Sequence, residues 1–275
     1  MASLDLTFLG TGTSQGIPVI GCTCPVCLSD DPRDKRTRTS VLVRTAEKHF
    51  VIDTAPDFRT QCLREGISRL DAAIFTHPHT DHIMGFDDMR RFCEMEDRKM
   101  PIFASQSTMD GLRASFRYAF DDQKLWKNYL RLDPEIISGP FLLGDTTVVP
   151  VDLPHGKIST TGYVFHRGGK KLLAYYTDCD AVPPVAQEAA HGAELLVLDA
   201  LRDSFHPTHM NFDQALEAVG KIAPQQSFLI HFCHDVSHAR KEREIPAGCR
   251  LSYDGLTVRA GGALEPSTCC SPCCC

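Results

Sequence analysis

The chain has 275 residues, of which 43% are hydrophobic and 23% charged, and its formal net charge is -6. These values suit a globular protein with a large core, and the acidic balance, with no Lys/Arg run longer than two, disfavours nucleic acid as a partner. No apolar stretch reaches the ~18 residues of a membrane span, and Met1-Ala2-Ser3-Leu4-Asp5-Leu6-Thr7 lacks a signal-type pattern, so a cytoplasmic location is expected, with a homodimer left open.

Residues 4–9 alternate and read as a strand running into Gly10-Thr11-Gly12-Thr13-Ser14-Gln15-Gly16-Ile17-Pro18, where glycines permit tight turns and close approach to a ligand. Cys22-Thr23-Cys24-Pro25-Val26-Cys27 follows. Of the thirteen cysteines, these three are spaced to wrap one tetrahedral zinc, with a fourth ligand from elsewhere. In a reducing compartment clustered thiols point to metal rather than disulfides. Cys62, Cys93, Cys179, Cys233 and Cys249 stand alone and read mostly as small buried hydrophobes.

Residues 40–43 and 50–53 read as strands, the second ending at Asp53, and 56–66 as a short helix opened by Pro56. The strand 71–75 then delivers Thr76-His77-Pro78-His79-Thr80-Asp81-His82. Ligands two apart in extended chain point the same way, so His77 and His79 can grip one ion. Asp81 and His82 open the next helical stretch, which continues to Arg91, and can face a second ion. Imidazole with carboxylate suits zinc, manganese or iron better than calcium or magnesium. Arg90 or Arg91 is a candidate for reaching a substrate phosphate.

The region 100–139 is the least regular, with a strand at 102–104 and a helix at 107–118. Its aromatics, Phe116, Tyr118, Phe120, Trp126 and Tyr129, are expected mainly to pack. Residues 146–153 form a strand ending at Pro154-His155-Gly156. A strand pair, 161–166 and 172–176, turns at Gly168-Gly169 and ends at Thr177-Asp178-Cys179-Asp180. A helix at 182–191 precedes the buried strand 195–198, which leads to Asp199. His206-Pro207-Thr208-His209 follows, then a helix over 212–222. The strand 227–230 delivers His231-Phe232-Cys233-His234, and a last strand covers 256–259. Two blocks of strands with ligands at their C-terminal ends imply two packed sheets with helices outside.

The ordered set His77-x-His79-x-Asp81-His82, His155, Asp178, His231 resembles the metallo-β-lactamase-fold hydrolases. Gly10–Pro18, Cys22-x-Cys24-x-x-Cys27 and the pair His231/His234 bring the chain nearest the phosphoribosyl cyclic phosphate phosphodiesterase-like branch. The stretch from Ile52 to Arg59 also matches, except that Ala55 replaces a usual Gly. The resemblance implies an α/β fold, a four-layer αββα sandwich, over residues 1–262. It assigns His77, His79 and His155 to one divalent ion, zinc or manganese. It gives Asp81, His82 and His231 to another, with Asp178 bridging. It also completes a structural zinc site of Cys22, Cys24 and Cys27 with His234. The implied activity is hydrolysis of a small-molecule phosphodiester, cyclic or nucleotide-like. Asp81 then belongs to the catalytic centre, His209 is the general acid with His206 its rival, and Asp53 orients a ligand imidazole. Thioester or lactone hydrolysis, tRNA 3′-end cleavage and a non-catalytic metal-dependent binding module are the competing readings. The Cys-rich tail, 263–275, reads as disordered and carries no C-a-a-X box.

Overall fold

The computed structural model describes residues 2–121 and 128–261. Trp126 and the tail cysteines, Cys269 to Cys275, lie outside the described residues. The strands are β1 (Leu4–Gly10), β2 (Ser40–Arg44), β3 (His49–Ile52), β4 (Ala72–Ile74), β5 (Met100–Ala104), β6 (Leu132–Ile136), β7 (Phe141–Leu143), β8 (Thr146–His155), β9 (Ile158–Arg167), β10 (Lys170–Tyr176), β11 (Leu195–Asp199), β12 (Gln226–Ile230), β13 (Cys249–Leu251) and β14 (Thr257–Ala260). The α-helices are α1 (Phe58–Arg64), α2 (Thr80–Ile83), α3 (Arg90–Glu96), α4 (Gln106–Ser115), α5 (Pro184–Ala190), α6 (Phe212–Ile222) and α7 (His238–Glu244).

The strands form two seven-stranded sheets, ordered β14-β1-β2-β3-β4-β5-β6 and β13-β12-β11-β10-β9-β8-β7. Strand periodicity sorts their side chains into layers. Val41 and Val43 of β2 point into the core between the sheets, together with Phe50, Phe165, Val197 and Phe228. Leu42 points the other way, toward Phe58, Phe92, Met109 and Leu112 of the helices over the first sheet. Leu196 and Leu198 of β11 likewise face Ala186, Phe212 and Ala215 over the second. The four-layer αββα sandwich is therefore the fold. β11 is buried at every residue, as a strand covered on both faces must be.

Within each half the central strands are parallel: β3, β4 and β5 in one sheet, β10, β11 and β12 in the other. Their C-terminal ends meet at one rim. Three differences from the sequence reading have local causes. β6, β7 and β13 were not expected; Leu132-Asp133-Pro134-Glu135-Ile136 carries a proline and is exposed after its first residue, a pattern confined to sheet edges. The helix expected from Asp81 to Arg91 is broken into α2, a 3-10 turn at Phe86–Met89, and α3. At the break, a Cβ on Gly85 would lie 2.1 Å from the carbonyl oxygen of Ala55, so only glycine lets the segment pack there. The helix expected over 107–118 stops at Ser115 and resumes as a 3-10 turn, Arg117–Ala119.

Candidate active site

Except for His209, which a loop carries, each candidate side chain at the rim is delivered by a strand end. Asp53 follows β3, His77 to His82 follow β4, His155 ends β8, Asp178 follows β10, Asp199 ends β11 and His231 follows β12. Asp53, Asp178 and His231 have positive φ, 63°, 53° and 71°. That conformation is unfavourable for residues with a Cβ and is held only where surrounding structure imposes it. Here it turns each side chain from the strand direction into the rim.

Two clusters meet there. His77, His79 and His155 form one, with ring centroids 4.5 to 5.3 Å apart. Asp81, His82, Asp178 and His231 form the other, all buried. Asp178 lies between the clusters: its Oδ1 is 3.2 Å from His231 Nε2 and 3.9 Å from His77 Nε2, and its Oδ2 is 3.2 Å from His82 Nε2. All seven residues assigned from the sequence thus converge.

The far side of each ring fixes which nitrogen faces inward. His82 Nδ1 donates to Asp53 at 2.7 Å, and Asp53 also accepts from Thr76 N and Oγ1 at 2.8 and 2.7 Å. Asp53 therefore orients one imidazole and the start of the motif together. His155 Nδ1 donates to the Thr208 carbonyl at 2.6 Å. This contact ties the first cluster to the loop that carries His209.

Whether these residues suit divalent cations can be judged from what they leave unmet. His82 Nε2 and both ring nitrogens of His231 are buried without a hydrogen-bond partner among the described residues, an arrangement that costs stability unless something else binds them. Burial alone would discharge His82, yet Asp178, Asp81 and Asp53 hold its pKa well above the usual value. Burial likewise opposes ionisation of Asp178, but His231 and His82 keep it well below the carboxylate range. A buried pocket that gathers this much negative charge around inward-facing nitrogens fits cations.

His209 is buried beside both clusters. Its ring stacks on His231, with centroids 4.7 Å apart at 14°, and meets His155 edge-on at 4.8 Å. Its Nδ1 donates to Asp199 Oδ2 at 3.0 Å. Burial disfavours the charged ring, but the Asp199 carboxylate outweighs it and raises the pKa to about 9. His206 sits one step out: its ring lies 5.2 Å from that of His209, and its Nδ1 accepts from Thr208 N at 3.3 Å. Asp199 is the residue that sequence reasoning passed over. It ends a buried strand just as Asp53 does, and that was the only available signal.

The second metal-type site is a knuckle. Cys22, Cys24 and Cys27 Sγ lie 3.2, 3.5 and 3.7 Å from His234 Nδ1. A thiolate and an imidazole sharing one tetrahedral zinc, with bonds of roughly 2.3 and 2.0 Å, would stand about 3.5 Å apart. Backbone hydrogen bonding from Cys27 lowers the Cys24 thiol to about 6, while burial raises Cys27 to about 11. One thiolate forms readily here and another needs a cation. The two sites are joined through the glycine-rich loop, because His231 N and Phe232 N both donate to the Thr11 carbonyl. Asp254 anchors that loop, accepting from Thr11 N and Oγ1 and from Thr37 N and Oγ1.

Arg90 and Arg91 do not join the site; they are exposed, pair with Asp87 and Glu94, and line a separate cavity of about 590 Å³ between α1 and α3. Of the crowded aromatics, Phe116 is buried while Tyr118 and Tyr129 are each 44% exposed. Cys93, Cys179, Cys233 and Cys249 are buried and free, as expected, and Cys62 is partly buried. Among the described residues no helix is long and apolar enough to cross a membrane.

Residues 48–232 match the family model for the beta-lactamase superfamily domain. A curated relative, an octanoyltransferase of Porphyromonas gingivalis, is 37% identical over 252 residues, covering 90% of this chain and 50% of that protein. A ribonuclease Z of Bradyrhizobium diazoefficiens is 34% identical over 82 residues, 29% of this chain and 22% of that protein. The chain thus spans at most half the length of these curated relatives. Among solved structures, a diphosphatase from the PhnP family superposes with a TM-score of 0.86 at 37% identity, covering 94% of this chain and 98% of that one. Zinc-bound PqqB from Methylobacterium extorquens superposes with a TM-score of 0.76 at 18% identity, covering 92% and 99%, which speaks to the fold alone.

Proposed function

The chain belongs to the beta-lactamase superfamily, as a metallo-β-lactamase-fold hydrolase of the PhnP-like branch, and from that premise we propose that it is a dinuclear-metal phosphodiesterase acting on a small cyclic phosphate or nucleotide-like phosphodiester. The observation that carries this reading is the Asp178 carboxylate, which stands within 4 Å of ligand nitrogens from both clusters. His77, His79 and His155 would hold one divalent ion, zinc or manganese, and Asp81, His82 and His231 the other, with Asp178 shared. Bound there, such a pair supplies hydroxide at neutral pH and neutralises charge on both oxygens of an in-line displacement. Cys22, Cys24, Cys27 and His234 would hold a structural zinc, a closed set with no room for substrate.

The chain's own groups do the rest. His209 can carry a proton at Nε2, because Nδ1 is engaged by Asp199, whose carboxylate favours the charged ring. Placed against His155 and His231, it delivers that proton to the departing alkoxide as a general acid. Asp199 positions the ring and sustains its charge. Asp53 and the Thr208 carbonyl hold His82 and His155 in the tautomers that present Nε2 to the centre.

Elemental analysis of protein purified without added metal, followed by assay on bis-p-nitrophenyl phosphate before and after chelation, tests the reading. Three ions per chain and turnover restored by zinc or manganese are expected. A second reading, thioester hydrolysis on the same centre, draws support from the octanoyltransferase relative. It predicts that an octanoyl thioester is cleaved and the phosphodiester is not.

A further inference from the structure

Three of the rim imidazoles are fixed by a hydrogen bond at Nδ1: His77 to Thr76 Oγ1 at 3.0 Å, His82 to Asp53 Oδ2 at 2.7 Å, and His155 to the Thr208 carbonyl at 2.6 Å. Neither ring nitrogen of His231 has such a partner among the described residues. Its Nδ1 is 3.8 Å from Asp199 Oδ1, too far for a hydrogen bond. The rings beside it, His209 at 14° and His82 at 19°, lie nearly parallel to it and give it no hydrogen bond. The direction of the His231 ring is therefore set from its backbone.

That backbone is left-handed, with φ 71°, a conformation kept only where the surroundings impose it. One oxygen imposes it here. The N–H groups of His231 and Phe232 both donate to the Thr11 carbonyl, each at 3.0 Å. Two successive donors converging on one acceptor fix the peptide between them, and so the direction in which the His231 side chain leaves it. Thr13 N closes the clasp on the Phe232 carbonyl at 2.9 Å.

Thr11 is held in turn by Asp254. Asp254 Oδ1 accepts from Thr11 N and Oγ1 at 2.9 and 2.8 Å. Its Oδ2 accepts from Thr37 N and Oγ1 at 2.8 and 2.6 Å, and from Arg64 Nη1 at 3.2 Å. This carboxylate, with only 7% of its side chain exposed, thus pins residue 11 beside residue 37. Gly12 N seals the pair by donating to the Thr37 carbonyl at 2.8 Å. Both polar hydrogens of Thr11 end on Asp254, which leaves its carbonyl aimed at the residues that follow β12.

We propose that Asp254 is a positioning residue for the metal centre. Through Thr11 it sets the backbone of His231, and so does for that imidazole what Asp53 does directly for His82. The inference rests on the rim holding divalent ions and makes no use of the substrate.

The test is Asp254→Asn, which keeps the shape of the side chain but replaces one acceptor oxygen with a donor. Cobalt(II) is titrated into the metal-free protein. Thiolate charge-transfer absorption reports the knuckle, and competition with a chromogenic chelator reports the rim. Rim affinity is expected to fall about tenfold, as for other groups that orient a ligand. Knuckle affinity should not move, because Arg36 holds the Cys233 and Val236 carbonyls independently. Without metal, hydrogen exchange of the His231 and Phe232 amides should accelerate at least about tenfold. Arg167→Gln controls for lost stability. Arg167 is buried and holds Asp145 and the Ser3 carbonyl at the end of β9 away from the rim, so that variant should leave both readouts at wild-type values. Unchanged rim affinity in Asp254→Asn, or an equal loss in Arg167→Gln, overturns the proposal. If Asp254→Asn does not fold, Thr11→Val removes only the hydroxyl donor and should shift both readouts the same way by less; no shift overturns the proposal. A wild-type rim that takes up no cobalt would sink the two-ion reading. The amide exchange then decides the positioning alone, faster exchange in Asp254→Asn supporting it and unchanged exchange overturning it.

Discussion

His231 and His234 stand three residues apart after β12, yet they enter clusters of opposite construction. His231 is buried, takes a left-handed backbone and joins a group of buried carboxylates and imidazoles at the meeting of two sheets. His234 is half-buried and joins three thiols on a surface loop, where Cys22 and Cys24 are partly exposed. At the rim, His82, His155 and His209 are oriented from behind by Asp53, the Thr208 carbonyl and Asp199. The thiol cluster draws its geometry from the short Cys-x-Cys-x-x-Cys spacing. Side chains held in strained backbone by the surrounding sheets suit a centre that must present open positions to a substrate. Four donors on a short loop close around one ion and fix the chain. The proposed division of labour, chemistry at the rim and stability at the knuckle, can be broken by substitutions that act on one side only.

The largest effect is expected from Asp178→Ala. Losing the carboxylate shared by both clusters should reduce phosphodiester turnover by at least ~10³-fold, with ions lost from the rim while elemental analysis still finds the knuckle zinc. His209→Ala comes next. Its metal content should be unchanged and its rate down roughly 10²- to 10⁴-fold on substrates with an alkoxide leaving group. p-Nitrophenolate needs little protonation, so the loss should be much smaller on that ester; equal losses on both would remove His209 from proton delivery. For Asp53→Ala, metal affinity at the rim should weaken about 10- to 100-fold, as measured by competition with a chromogenic chelator. The smallest effect on chemistry belongs to Cys24→Ala. Thermal unfolding should shift down by several degrees or more with one ion lost, while kcat stays within about twofold of wild type. Full thermal stability with turnover lost would reverse the proposed roles of the two sites.

Much of the rim was legible in the linear chain, because a strand end is the one place where a buried apolar run must give way to polar groups. The apolar runs before His77, Asp178 and His231 marked those positions, and the tight His77-x-His79-x-Asp81-His82 spacing marked the rest. Asp199 obeys the same rule but belongs to no short motif, and its partner His209 reaches it only through folding of the 202–211 loop. Asp254 is 243 residues from Thr11, so its hold on the glycine-rich loop leaves no local pattern. The edge strands β7 and β13 are only three residues long and β6 is interrupted by Pro134, too little pattern to mark a strand along the chain. Gly85 looked like a residue within a helix until Ala55 was seen pressed against it.

By itself the sequence determined which residue types could bind cations, the strands and helices with strong periodicity, and, through motif spacing, the resemblance to a hydrolase family. Those are local properties, written in spacings of two to four residues. The resemblance already implied the place of Asp178 and the choice of His209; only the tertiary structure gave the distances that set Asp178 between the two clusters and His209 against both His155 and His231. Such relations depend on how two sheets twist and pack over one another, and no spacing along the chain encodes a distance across that interface.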